Sequence, residues 1–206
     1  MTGALLVFRV RLQDLYTLRN AIYRCLSILK NGYDGTYLGI SNDAERVPPC
    51  ESLPLLNFGM GMFYFTKEED AKRFVHSDQG FMEADFLDNA EVFIVPVQQP
   101  VLVGSHGAAF FFTETKKAEN HSQLPNPEIM FRMQECGAVP LVADSAKVYL
   151  VRGCNEGVCG IRVSQFPNKK IFYEWVKSDC GSNFREEMCK VRSLNSYVAT
   201  FARDLF

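Results

Sequence analysis

Apolar and polar positions change period several times along the chain. Residues 5–10 form a β-rich run, and Leu15, Leu18, Ile22, Cys25, Leu26 and Leu29 then recur at helical spacing as a one-sided stripe. Asp14 stands where an N-cap belongs, and Asn31-Gly32 where a helix stops. Residues 36–40 and 59–65 read as strands, the second with glycines that let a neighbouring element approach closely. Thr66-Lys67-Glu68-Glu69 has the form of a capping box before a helix facing inward through Ala71, Phe74 and Val75. Residues 91–95 close this unit as a strand.

The same order follows again. Residues 108–112 are apolar, and Asn126-Pro127 opens a short helix with Ile129, Met130 and Met133 inward, ending at Gly137. Residues 148–152 and a strand around 161–163 are expected to form a hairpin through Asn155-Glu156-Gly157. Asn168 caps a helix whose inner face is Ile171, Phe172, Trp175 and Val176.

This order points to an internal repeat. Phe74-Val75-His76-Ser77-Asp78-Gln79-Gly80 and Trp175-Val176-Lys177-Ser178-Asp179-Cys180-Gly181 agree at four of seven positions. The expected architecture is α+β: two tandem ferredoxin-like βαββαβ repeats, residues 1–98 and 108–206, joined by a linker over 99–107 with Pro100, Gly104 and Gly107. Each unit covers one sheet face with its own helices and leaves the other face bare. The two halves are therefore expected to pack together as an intramolecular pseudo-dimeric α+β barrel. The first half carries a long loop over residues 41–58 with Pro48-Pro49 and Pro54.

Composition narrows the classes. The 206 residues are 47% hydrophobic and 22% charged, an ordinary globular balance that excludes disordered and fibrous chains. No apolar run reaches the ~18 residues of a membrane helix, and the net charge of -2 advertises no nucleic-acid face. The seven cysteines are irregularly spaced, and the start of the chain reads as a strand rather than a secretory leader. The thiols are expected to be reduced and the protein cytoplasmic or nuclear, with no metal site and no cofactor.

Phe166-Pro167-Asn168 followed by Trp175-Val176-Lys177-Ser178 resembles a small domain-of-unknown-function family in the dimeric α+β barrel superfamily, with its Phe-Pro-Ser, helix, Trp-Tyr-x-Ser pattern. Val151-Arg152-Gly153 resembles the strand and turn that precede it, and Arg192 stands for a late arginine. Asn168 replaces the family's Ser, Lys177 its Asp, and Cys180-Gly181 interrupts its continuation. The superfamily includes cofactor-free monooxygenases, haem-handling enzymes and isomerases, so the resemblance implies a fold that hosts small-molecule sites.

The expected function is binding of a small apolar or amphipathic molecule between sheet and helices, with catalysis open. The alternatives are a protein-interaction module using the 41–58 loop and a cofactor-independent oxygenase or isomerase. The candidate ligand-binding residues are His76, Ser77, Asp78, Arg152, Trp175, Lys177, Ser178 and Asp179. His76 carries an imidazole, the side chain most used for acid–base work, but no Asp or Glu is identified to orient it. The Ser-Asp pairs explain themselves equally well as helix ends and caps, Arg152 as a solvated strand arginine, and Trp175 as core.

Overall fold

The computed structural model describes residues 3–47, 58–77, 85–104, 107–115, 127–146, 148–153, 160–190 and 193–203. The first half runs β1 (Gly3–Arg11), α1 (Leu15–Gly32), β2 (Gly35–Ser41), β3 (Glu45–Arg46), β4 (Phe58–Phe65), α2 (Glu68–Val75) and β5 (Glu91–Val97). The second runs β6 (Ala109–Thr115), α3 (Pro127–Glu135), β7 (Val139–Ala146), β8 (Tyr149–Arg152), β9 (Gly160–Phe166), α4 (Lys169–Lys177), α5 (Asp179–Lys190) and β10 (Ser193–Thr200). The architecture is mixed α+β with two antiparallel sheets, ordered β2-β4-β1-β5-β8 and β3-β10-β6-β9-β7.

The central strand β1 is buried on both faces, which is why its sequence is almost unbroken apolar. Leu6, Phe8 and Val10 face α1 and α2, while Leu5 and Val7 face the second sheet. Helix α1 seats Leu15, Leu18, Ile22, Cys25 and Leu29 on β4 and its neighbours. Gly59 makes that seat possible, because a Cβ there would stand 2.7 Å from Leu15 Cδ1. The second sheet is covered on its outer face by Phe111, Phe166, Phe172, Trp175, Val176 and Phe184. Between the sheets, Leu5, Val7, Met60, Met62, Phe93 and Val95 meet Phe110, Phe112, Leu141, Val142, Ile161, Val163, Tyr197 and Ala199.

Two short strands change sheets. β3, from the first half, pairs with β10, and β8, from the second half, pairs with β5. The hairpin expected between residues 148–152 and 161–163 is therefore not formed: β9 takes β7 as its neighbour. β7 is the strand missed in the sequence, where Pro140 in its second position hides it. Pro140 is tolerable because β7 is the edge strand of its sheet. Much of the 41–58 loop and the Asn155-Glu156-Gly157 turn lie outside the described residues, as does Arg192. Leu102 is held by Gln165, whose Nε2 donates to Leu102 O at 3.0 Å and whose Oε1 accepts from Leu102 N at 2.9 Å.

Two expected caps are differently employed. Thr66 Oγ1 donates to Asp34 Oδ2 at 2.7 Å, and the N-cap of α2 is Lys67, without a side-chain cap bond. Asp14 accepts from Arg11 Nε at 2.8 Å instead of capping α1. Both side chains thus bond another side chain rather than a backbone N–H of the helix. Asn168 does cap α4, accepting from Ile171 N at 2.9 Å.

Candidate functional site

Three sequence candidates meet β8 and its neighbourhood. His76 is exposed at the end of α2, with Nε2 3.3 Å from the Tyr149 hydroxyl on β8. Lys72 Nζ lies 5.2 Å from the centre of the same ring. Ser77 Oγ donates to Phe74 O at 2.8 Å, closing the helix end. Arg152, also on β8, pairs with Asp88 at 3.0 Å. Asp78 lies outside the described residues.

The candidates of the second half serve helix ends and core. Trp175 is buried among Phe111, Phe166, Phe172 and Phe184, at centroid distances of 5.4–6.2 Å. These rings occupy the space between sheet and helices in which a ligand was expected. Ser178 Oγ donates to Trp175 O at 2.6 Å and accepts from Gly181 N at 3.2 Å, ending α4 and starting α5. Lys177 and Asp179 are exposed. His76 and Lys177 thus end helices on different sheets and are not gathered into one site.

A charged cluster that the sequence candidates did not include lies between the sheets. Arg9, on β1, is 1% exposed, Glu114, on β6, is 0%, and Glu91, on β5, is 8%. Arg9 Nη1 donates to Glu114 Oε1 in a short contact, and Arg9 Nη2 lies 2.5 Å from Glu91 Oε2. Tyr197 Oη donates to Glu114 Oε1 at 3.2 Å, and Asn195 Nδ2 to Glu114 Oε2 at 2.8 Å. The rings of Phe93, Phe58 and Tyr197 stand 5.2, 5.8 and 5.8 Å from the guanidinium carbon.

Electrostatics follow from this burial. Burial opposes the Arg9 charge, but the Glu114 and Glu91 carboxylates beside it outweigh that and keep the guanidinium protonated. Burial raises the Glu91 pKa; Arg9 pulls it back and Glu114 raises it further. Burial likewise carries the Tyr197 phenol well above its ordinary value, so it serves as a neutral donor. Arg9 Nε and Asn195 Oδ1, both buried, have no hydrogen-bond partner. An orphaned donor and an orphaned acceptor in one polar cluster are what a small polar guest satisfies. The sequence signal was a parity one: Arg9 continues the inward-facing positions Leu5 and Val7.

A second polar cluster fastens the exchanged strand β3. Lys169 Nζ, on α4, donates to Asp43 O at 2.8 Å, Asp43 Oδ2 at 2.7 Å and Glu45 Oε1 at 2.8 Å. Asp43 also accepts from Thr200 N at 3.0 Å, and Tyr173 Oη donates to Glu45 in a short contact. Burial works against the Asp43 charge, yet the bonds from Lys169, Ser41 and Thr200 hold its pKa below the usual carboxylate value. Bonds from Lys169 and Tyr173 do the same for Glu45. Among the described residues, no group of three or more His, Cys, Asp or Glu side chains is placed to hold a metal ion. No helix there is long and apolar enough to cross a membrane.

No protein-family model matches the chain, and no curated protein matches it. Solved structures do. A candidate monooxygenase from Fusobacterium nucleatum is 9% identical with a TM-score of 0.52, over 97% of this chain and 91% of that one. An anthrone oxidase-like protein is 10% identical with a TM-score of 0.47, over 98% and 92%. A variant chlorite dismutase from Candidatus Nitrospira defluvii is 10% identical with a TM-score of 0.48, over 98% and 91%. What the chain shares with the Fusobacterium protein is the ferredoxin-like α+β fold.

Proposed function

We propose that the chain is a tandem pseudo-dimeric α+β barrel that binds a small amphipathic molecule between its two sheets, beside Arg9. The reading of the halves is supported by strand order. β2-β4-β1-β5 and β7-β9-β6-β10 follow one pattern, and β3 and β8 are exchanged reciprocally. The observation that carries the binding site is the buried pair of unsatisfied atoms, Arg9 Nε and Asn195 Oδ1, in an otherwise apolar inter-sheet core. Burying charged groups costs several kcal/mol per ion, and leaving further polar atoms unpaired adds ~1–3 kcal/mol each. A guest that accepts from Nε and donates to Oδ1 recovers that cost, while Phe58, Phe93 and Phe112 contact its apolar part. The space between the second sheet and its helices is filled by the chain's own rings, Phe111, Phe166, Phe172, Trp175 and Phe184.

Native mass spectrometry of protein purified from its own source tests this. A retained small mass is expected in the wild type and absent from Asn195→Leu and Arg9→Met. If the wild type carries no added mass, and Arg9→Met/Glu91→Gln/Glu114→Gln is as stable as the wild type and equally empty, the cluster is only a piece of core.

A further inference from the structure

The buried cluster sits where the two halves should be most alike and where they differ most. Ala4 pairs with Phe65 and Ala109 with Phe166, and Arg9 and Glu114 stand the same five residues further on. Across the next strand, Arg9 faces Glu91 and Glu114 faces Asn195. Arg9 and Glu114 therefore hold one place in their respective halves, and Glu91 and Asn195 hold another. Neighbouring places keep similar apolar residues: Val7 answers Phe112 and Phe93 answers Tyr197, all facing the inter-sheet core.

In a twofold interface only positions close to the axis meet their own equivalents, and the Arg9–Glu114 contact puts this position there. With identical halves, like would face like at this buried point. Two copies of the second half would bring Glu114 against Glu114 with only the neutral donors Asn195 and Tyr197 beside each, two buried carboxylates and no cation. Two copies of the first half would bring guanidinium against guanidinium. Only the unlike pairing gives Glu114 its cation, and the structure contains that pairing as the Arg9–Glu114 contact.

We infer that the Arg9–Glu114 contact is a pairing code, directing each half of the chain to the other half and away from a copy of itself. The inference rests on the reading of the chain as two tandem halves. Its physical basis is the penalty for leaving one partner of a buried ion pair alone, which exceeds the net value of the pair. Glu91 keeps Arg9 partly neutralised within its own half, so discrimination lies chiefly with Glu114.

The test is to make the halves alike and then to transfer the code. Glu114→Arg/Asn195→Glu gives both halves an arginine and a glutamate at these places. Adding Arg9→Glu/Glu91→Asn moves the whole cluster to the opposite half. Each full-length protein is refolded from denaturant over roughly a hundredfold range of concentration and sized by light scattering. The two-residue variant is expected to add dimers whose share grows with concentration, and the four-residue variant to return to the wild-type distribution. A two-residue variant that behaves as wild type, or a four-residue variant that keeps its dimers, overturns the inference. Should the four-residue variant not fold, Arg9→Met is compared with Arg9→Met/Glu114→Gln at a fixed denaturant concentration. Arg9→Met is expected to reduce the folded-to-unfolded ratio at least tenfold, and the added Glu114→Gln to restore most of it; no restoration contradicts the code. Failure of the tandem-halves reading would show separately, as separation of the halves after cleavage of the linker.

Discussion

Lys169 and Glu91 show how differently two charged residues behave in one fold. Lys169 lies at a half-buried rim and ties together three oxygens of the exchanged segment. Asp43 and Glu45 have depressed pKa values in the fold, so their stabilisation is present above the usual carboxylate range and is lost as pH falls through their folded values. Lys169→Met is expected to cost about 1 kcal/mol at pH 7, roughly 3 °C in melting temperature. The gap between variant and wild type should close as pH is lowered toward ~3. A gap that persists unchanged at low pH would mean that the lysine acts through its methylene stem alone. Glu91 carries the opposite sign. Burial raises its pKa, so its contribution is greatest below the ordinary carboxylate value and falls as pH rises through its folded value. Glu91→Gln is therefore expected to raise the midpoint of denaturant unfolding at pH 8, because it removes a buried carboxylate while Glu114 still pairs with Arg9. A lower midpoint would show Glu91 to be an obligatory partner of the guanidinium. Arg9 was visible in the sequence as a charge within a strand, but its partner Glu114 is 105 residues away, and spacing cannot supply that contact.

At the scale of elements, the helices were the more legible. α1 and α4 follow from their apolar stripes, and Asn168 announces the start of α4 through its cap bond. Asn168→Ala is expected to cost about 1 kcal/mol in thermal or chemical unfolding. α5 was not foreseen, because Cys180-Gly181 reads locally as a break. The glycine is there for contact: a Cβ on Gly181 would lie 2.2 Å from Trp175 O and 2.8 Å from Val176 Cα. Gly181→Ala should push α5 off α4 and lower stability by about 1–3 kcal/mol, with a change in Trp175 fluorescence. Unchanged fluorescence and stability would show that the two helices separate at no cost. The strands were less legible where they leave their own half. Residues 148–152 were recognised as a strand, but the choice between β9 and β5 as partner depends on the edge that the first sheet leaves open.

The whole molecule is governed by the faces left bare by two similar sheets. Nearly continuous apolar runs in β1 and β5 mark strands buried on both faces, and this much was readable as apolar density. The reciprocal placement of β3 and β8 was not readable, since both are short and lie beside turns rather than within long patterned runs. These strands and the inter-sheet core predict one cooperative unit that does not depend on an unbroken chain at Val103-Gly104. The direct measurement is a specific protease site inserted between Val103 and Gly104, where Val103 is 45% exposed. After complete cleavage, the two fragments should remain one particle by native mass spectrometry and separate only in denaturant, together. Fragments that part under native conditions and persist as stable, soluble monomers would contradict the packing of the two halves and every inference built on it.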